Sequence, residues 1–581
     1  MLTEFVLTFK YRMWRVIEGR AAVAEALTPH VRVALNEWSD EKSPGELRFE
    51  EAPALSSNTD DRYLIERDEA RRIQSLVREL GASAVAVSGP RGAGKSTLLK
   101  SLAQHYGSPH DLFITLEAPS SYQPKEFVIM LYRRLCECIM REASSLTYST
   151  TRRLLNKIIS LIRFLALLAA LAASVSQWTP IEQWLNSTVP PSMVPANGWQ
   201  AASYAAFAVV FRTFLGSIRP RKGREGATQL VRRATSESNR LRFLQNISLE
   251  NSGTVKASFG FGLGIKHTRQ LLEQAASMPD LVHGYRTLAA DAIAWWRQGA
   301  GHGEGHLIVV IDELDRVTDV NAAERFINDV KGIFGIKHCT YLVTVSEDAL
   351  SQFERRMVGI RPVLDSTFDE VIRLPILNYA QSREILARRL VGFPQAFIAL
   401  CHALSGGIPR DLIRTARALI DARQITGQDS LVPLAQEVVR AEIARLKSGL
   451  VGRVNTRPAE PDALTLLRFL ADAEWPEHDS TGLLRAAAEL LAAEQKPEPK
   501  SRVSVQLGVA LYYYATISEI FEEFGYRLYD EAGHVAEKLA LARSVMPTSV
   551  DLAYVHIHQL RSTIGFRGIP YAGPGMAPAR D

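Results

Sequence analysis

The apolar positions fall into a few recognisable patterns. Ala84–Ser88, Asp111–Glu117, His306–Ile311 and Thr340–Val345 are short, nearly continuous apolar runs. Such runs predict strands buried on both faces, as in a parallel sheet flanked by helices. Helical spacing surrounds them. It covers 62–80, 97–106, a stretch rich in Leu and Ile to about Glu142, and 321–334. Gly81 is expected to close the first of these helices in a left-handed cap. Residues 255–265 (VKASFGFGLGI) alternate apolar with small residues and read as a β ribbon; their Gly260-x-Gly262-x-Gly264 spacing is not the dinucleotide fingerprint. After Pro375 the pattern turns helical and stays so. Apolar and aromatic stripes at 464–475 and 509–524 have the spacing of core positions. The closing GIPYAGPGMAPARD reads as a loose tail, and residues 1–60 carry no recognisable role.

Two segments follow a different rule. Residues 158–178 and 199–218 are 21 and 20 residues of mainly apolar chain. As helices each reaches about 30 Å, the thickness of a bilayer core. Arg152, Arg153 and Lys157 precede the first, and Arg219, Arg221, Lys222 and Arg224 follow the second; the loop between them holds only Glu182. That asymmetry predicts a two-pass hairpin with both outer flanks cytoplasmic. Arg163 and Arg212 lie near the cytoplasmic ends, within snorkelling reach of headgroups. Trp178, Trp184 and Trp199 suit the far interface. A buried helical hairpin is the alternative.

Composition narrows the class without deciding it. The chain has 581 residues, 46% hydrophobic and 23% charged, with a net charge of +5. These values describe a folded, multi-domain protein and exclude a disordered chain, and the small net charge gives no argument for a nucleic-acid coat. Cys136, Cys138, Cys339 and Cys401 are too few to staple it; Cys136-x-Cys138, in a helical pattern with no second pair, reads as core thiols.

The chemistry is concentrated in one motif. Gly89-Pro90-Arg91-Gly92-Ala93-Gly94-Lys95-Ser96 fits G-x-x-x-x-G-K-[ST], with an apolar run before it and a helix from Thr97 after it. Glycines let backbone N–H groups curl around a phosphate, and a helix N-terminus adds positive potential. Lys95 is then expected on the β- and γ-phosphates and Ser96 on Mg²⁺. The complementary acid is Asp312, at the end of Leu307–Ile311, as a ligand of the Mg²⁺ shell. Glu313 follows it, placed as the general base that polarises water. Thr344 and Ser346, on one face of the next run, are candidate sensors of the γ-phosphate. Arg410, opening a helix after Ser405-Gly-Gly-Ile-Pro, is a candidate stabiliser of developing charge. Arg355 and Arg356 are weaker candidates for that role. Lys95 and Asp312 stand 217 positions apart, so the hairpin and more are inserted within one nucleotide-binding unit.

Taken together, GPRGAGKST (89–97), the inserted hairpin, VVIDELDR (309–316) and GGIPRDLIR (406–414) resemble the KAP family of P-loop NTPases. Residues 353–377 also look like segments of its larger members. The resemblance implies an α/β P-loop fold of the additional-strand, catalytic-glutamate class. It also implies a transmembrane hairpin inserted in the NTPase domain, and roles in signalling assemblies or phage exclusion. Glu313 stands where many members have Asp. The expected organisation is an N-terminal region (1–60), a first NTPase part (61–150), the hairpin insertion (151–224), a second NTPase part (225–375), a helical lid (376–430) and an all-α C-terminal region (431–581). The expected protein is a two-pass ATPase of the cell membrane, with ATP and Mg as cofactors and with its NTPase domain and both termini cytoplasmic. It would act as a nucleotide-driven switch, its partners being the lipid bilayer through 158–218 and a protein or second copy through the C-terminal region. An AAA-like motor remodelling protein or nucleic acid is the rival reading.

Overall fold

The computed structural model describes residues 31, 45–47, 63–103, 110–118, 124–143, 223–252, 277–299, 303–312, 331–347, 367–456, 480–491, 502–525 and 532–571. The expected membrane spans, the 255–265 ribbon, the 464–475 stripe, most of the 321–334 helix, and Glu313, Arg355 and Arg356 lie outside these residues. Among the described residues no helix is long and apolar enough to cross a membrane.

Among the described residues five parallel strands form one sheet: β1 (Ala82–Gly89), β2 (Leu112–Glu117), β3 (Leu307–Asp312), β4 (Cys339–Ser346) and β5 (Glu370–Arg373), in the order β2-β3-β4-β1-β5. Every residue of β3 and β4 is buried, which explains the continuous apolar runs. Alternation sorts each strand between two cores. Val85 and Val87 of β1 join Val310 of β3 on one face, under α1 (Asp68–Glu79) and α2 (Lys95–Ser101). Ala84 and Ala86 join Val309 and Ile311 on the other. That second face is covered by a helix at 124–143 (α3), by α4 (Gly223–Ser252) and by α5 (Met278–Ala294). Ser277 caps α5, its hydroxyl accepting from the Asp280 N–H.

The register brings the chemistry to one edge. Gly89 pairs with Ser346, and Glu117 with Asp312, so the strand ends that carry the motifs share the C-terminal rim of the sheet. β4 separates β1 from β3, the arrangement the additional-strand class requires.

Helices fill the rest: α6 (Tyr379–Arg389), α7 (Gln395–Ser405), α8 (Pro409–Thr426), α9 (Leu431–Thr456), α10 (Ser480–Leu491), α11 (Arg502–Glu523), α12 (Ala532–Val545) and α13 (Val550–Thr563). Asn378 and Gln381 form a reciprocal capping box at the start of α6. One core joins all eight, with Tyr512, Tyr513 and Tyr514 of α11 buried in it. The aromatic stripe is core, as its spacing indicates. Leu47 belongs to the same core, and its N–H donates to Asp429 O at 2.9 Å. Part of the N-terminal region therefore packs on the helical end of the molecule.

Two expectations need correction. Gly81 does not take a left-handed cap. The helix ends at Leu80, whose extended backbone leads straight into β1, and the Gly81 carbonyl is engaged by the His338 N–H. Within that closing stretch, residues 568–571 are not loose. Residues 566–571 lie as a strap on α11 and α13: Ile569 is buried, its N–H donates to Tyr512 Oη at 3.4 Å, and its carbonyl accepts from Tyr554 Oη. Buried Arg561 completes the clasp, donating to Arg567 O (2.9 Å), Thr516 Oγ1 (3.0 Å) and Glu519 Oε2 (2.7 Å). A chain rich in Gly and Pro is ordered here because aromatic side chains supply partners for its backbone.

Candidate nucleotide site

The phosphate loop leaves β1 at Gly89 and enters α2 at Lys95. Gly92 and Gly94 hold φ of 88° and 90°, a region side chains avoid. Gly92 has a second reason to lack a side chain: a Cβ there would meet Arg410 Cβ at 3.0 Å and Ile408 Cγ2 at 3.2 Å. The Arg410 N–H donates to Gly92 O at 3.3 Å. The start of α8 is thus seated directly on the loop.

Lys95 is buried, and its Nζ donates to Gly89 O at 2.8 Å and Pro90 O at 3.2 Å. Asp312, also buried, accepts at Oδ1 from Thr344 Oγ1 at 2.8 Å. Thr344 therefore orients the acid rather than reaching for a ligand. Ser346 lies beside Gly89, buried, and does not line the cavity.

A cavity of about 580 Å³ opens over the loop, within the range of small-ligand sites. Arg91, Gly92, Ala93, Gly94, Lys95, Ser96 and Thr97 form its floor, with Asp312 at one side. Pro409 and Arg410 reach it from α8; Arg410 is exposed there. The structure therefore gathers the residues of the phosphate motif, Asp312 and Arg410 around one space. Ser96 and Asp312 offer it a hydroxyl and a carboxylate, hard oxygen donors of the kind Mg²⁺ takes.

Sequence reasoning missed the walls. Tyr63, Leu64 and Ile65 line one side, and Leu377, Ile385 and Ile413 another. The Arg389 guanidinium stands 4.9 Å from the centre of the Tyr63 ring, and Arg388 donates to Leu64 O, which ties the lid to the segment before α1. Arg67 was missed too. It is buried at the N-cap of α1, with Nη1 donating to Ala93 O (3.1 Å) and Nη2 to Pro375 O (2.7 Å). Burial holds its guanidinium below the usual pKa, against the pull of Glu69, whose Oε2 is 3.5 Å from Nε. One arginine thus joins the phosphate loop to the chain entering the lid. No local motif announces it.

A model of the KAP family P-loop domain matches residues 73–375, just over half of the chain. The chain belongs to the KAP family of P-loop NTPases. No curated protein matches it. The matched segment contains the phosphate loop and Asp312, whereas the cavity walls at 63–67 and 377–413 lie on either side of it. A KAP domain is thus a nucleotide-binding NTPase fold, and in this member the cavity is completed by flanking chain. The four cysteines are buried and free, and among the described residues no group of His, Cys, Asp or Glu could hold a metal ion. Burial pushes the Cys136 thiol up to about 12 and the Cys138 thiol up to about 11, as inert core thiols require.

Proposed function

We propose that the protein is a Mg-dependent ATPase of the membrane, whose nucleotide state controls how its helical lid sits on the phosphate loop. The observation that carries this is the Arg410–Gly92 contact. The lid and the loop share a backbone hydrogen bond at the mouth of the cavity. A triphosphate entering there competes for Lys95, which now serves the Gly89 and Pro90 carbonyls. Ser96 and Asp312 would hold Mg²⁺, which neutralises phosphate charge when bound. Glu313, next after Asp312, orients the attacking water, and Arg410 meets the charge that develops. The apolar walls and Tyr63 receive the base. Arg410 comes from the same chain, so a switch of this kind needs no neighbour to complete its site.

The membrane half of the proposal rests on spans 158–178 and 199–218 and their basic flanks. The elements on either side fit it. Thr235 of α4 donates to Met140 Sδ of α3 at 3.5 Å. The chain therefore leaves and returns along one flank of the sheet, a geometry compatible with a two-pass hairpin and with a buried one alike. Signalling or phage defence is the biological setting the family resemblance suggests.

ATP turnover in nanodiscs tests the enzyme claim. Wild type should hydrolyse ATP; Glu313→Gln should bind ATP but lose about 10²-fold or more in turnover, the scale of a general-base contribution; Lys95→Ala should lose binding as well. Equal turnover in all three rejects the assignment. Carbonate extraction tests the anchor, and release into the supernatant would remove it.

A further inference from the structure

The cavity over the phosphate loop is lined by two kinds of surface. Residues 91–97, with Asp312 and Arg410, give it charge and polar groups; Leu64, Ile65, Leu377, Ile385 and Ile413 give it an apolar wall. Two polar side chains belong to that wall by their place in the chain. Tyr63 precedes Leu64, and Arg389 stands one turn after Ile385 at the end of α6.

Arg389 is out of keeping with its neighbours. It is only 8% exposed, yet it borders the cavity, and its guanidinium stands 4.9 Å from the centre of the Tyr63 ring. That contact uses the face of the ring rather than an acceptor atom, so it draws on none of the guanidinium donors. Neighbouring polar side chains are committed elsewhere. Arg388 donates to Leu64 O and Glu384 Oε1, Arg67 to Ala93 O and Pro375 O, and Ser101 to Leu98 O at 2.7 Å. Asp312 accepts from Thr344. Beside the Tyr63 hydroxyl, Arg389 is the side chain of this wall equipped to hydrogen-bond a base, and a guanidinium addresses acceptor atoms alone.

We propose that Arg389 selects the base: it donates to a ring nitrogen of a purine packed on the apolar wall, while residues 91–97 hold the phosphates. The inference rests on the reading of this cavity as the nucleotide site and deepens it, from nucleotides in general to purine nucleotides. A purine presents the acceptor nitrogens N3 and N7 on its groove edges, and adenine adds N1. Its fused rings also bury more apolar surface against Leu377 and Ile385 than the single ring of a pyrimidine can. Arg389 ends α6, and Arg388 beside it grips the Leu64 carbonyl. The base is therefore met by the lid and by the chain before α1 together.

The test is calorimetric titration of the full chain in nanodiscs, with Mg²⁺, against ADP, CDP, the 1-deaza, 3-deaza and 7-deaza analogues of ADP, and pyrophosphate, which has no base. None of these is consumed by hydrolysis of a γ-phosphate. Wild type should bind ADP more tightly than CDP or pyrophosphate. One deaza analogue, the one lacking the nitrogen that Arg389 meets, should bind about tenfold more weakly than ADP, the scale of a hydrogen bond from a charged donor. In Arg389→Met, ADP should fall to the affinity of that analogue, the analogue itself should stay where it was, and pyrophosphate should bind as in wild type. A purely structural role would lower all of them together. Deaza analogues that all match ADP in wild type overturn the assignment without any substitution. So does a deficit that persists in Arg389→Met, or a loss of pyrophosphate binding in that variant equal to the loss of ADP. Wild type that binds ADP no better than pyrophosphate overturns base selection and leaves the phosphate site standing. Wild type that binds neither refutes the nucleotide reading itself.

Discussion

Gly92 shows how much one residue can be asked to do. Its φ is 88°, and its missing Cβ makes room for Ile408 and Arg410. Gly92→Ala should cost about 1–2 kcal/mol in stability from the backbone alone, with a further loss of nucleotide affinity as the lid is pushed off; urea unfolding and ATP titration read the two effects separately. Arg67 is the complementary case. It touches the loop only through Ala93 O and holds the lid entry through Pro375 O. Arg67→Met keeps the length and removes both charge-assisted bonds, so stability should fall by about 1.5–3 kcal/mol and ATP affinity should fall with it. Unchanged affinity in a folded Arg67→Met chain would show that the loop holds its shape unaided.

The elements that sequence reveals are those whose pattern is local. All four apolar runs became strands, and the helix after the phosphate motif begins at Lys95, two residues before the expected Thr97. β5 escaped because Glu370–Arg373 is a four-residue edge strand with only two apolar side chains, and its existence depends on β1 beside it. The walls of the nucleotide cavity escaped for a related reason. Tyr63 and Ile385 are ordinary residues until the fold brings them together across more than three hundred positions. The C-terminal strap belongs with these. Its order comes from Arg561, Tyr512 and Tyr554, none of which is marked by any motif. Arg561→Met strands Glu519 and frees the Arg567 carbonyl. It should destabilise the helical unit by about 3 kcal/mol, the lower range for breaking a buried pair, with the strap exchanging amide hydrogens faster than α11.

At the scale of the whole molecule, acid should loosen the lid before the sheet. His402 of α7 shares a 2.8 Å hydrogen bond with Ser382 of α6, and burial lowers its pKa to about 4 from 6.5. The unfolded chain then takes the extra proton first as pH falls. Stability from this group is complete above 6.5 and declines toward 4, by about 3 kcal/mol over the window. His306 and His338, lowered mainly by burial, add in the same direction from the opposite end of the sheet. Denaturant unfolding at pH 7 and pH 4.5 should show the loss, and His402→Asn should flatten it.

The binding cleft is walled by polypeptide from before residue 73 and after residue 375, outside the stretch that defines the family. Relatives can therefore keep the same phosphate-gripping centre and still differ in which nucleotide they accept, and how tightly, by exchanging only the borders. A protein trimmed to the shared stretch would lose the walls together with Arg67 and the Arg410 turn that brace the loop, so its hold on phosphate should weaken along with its discrimination.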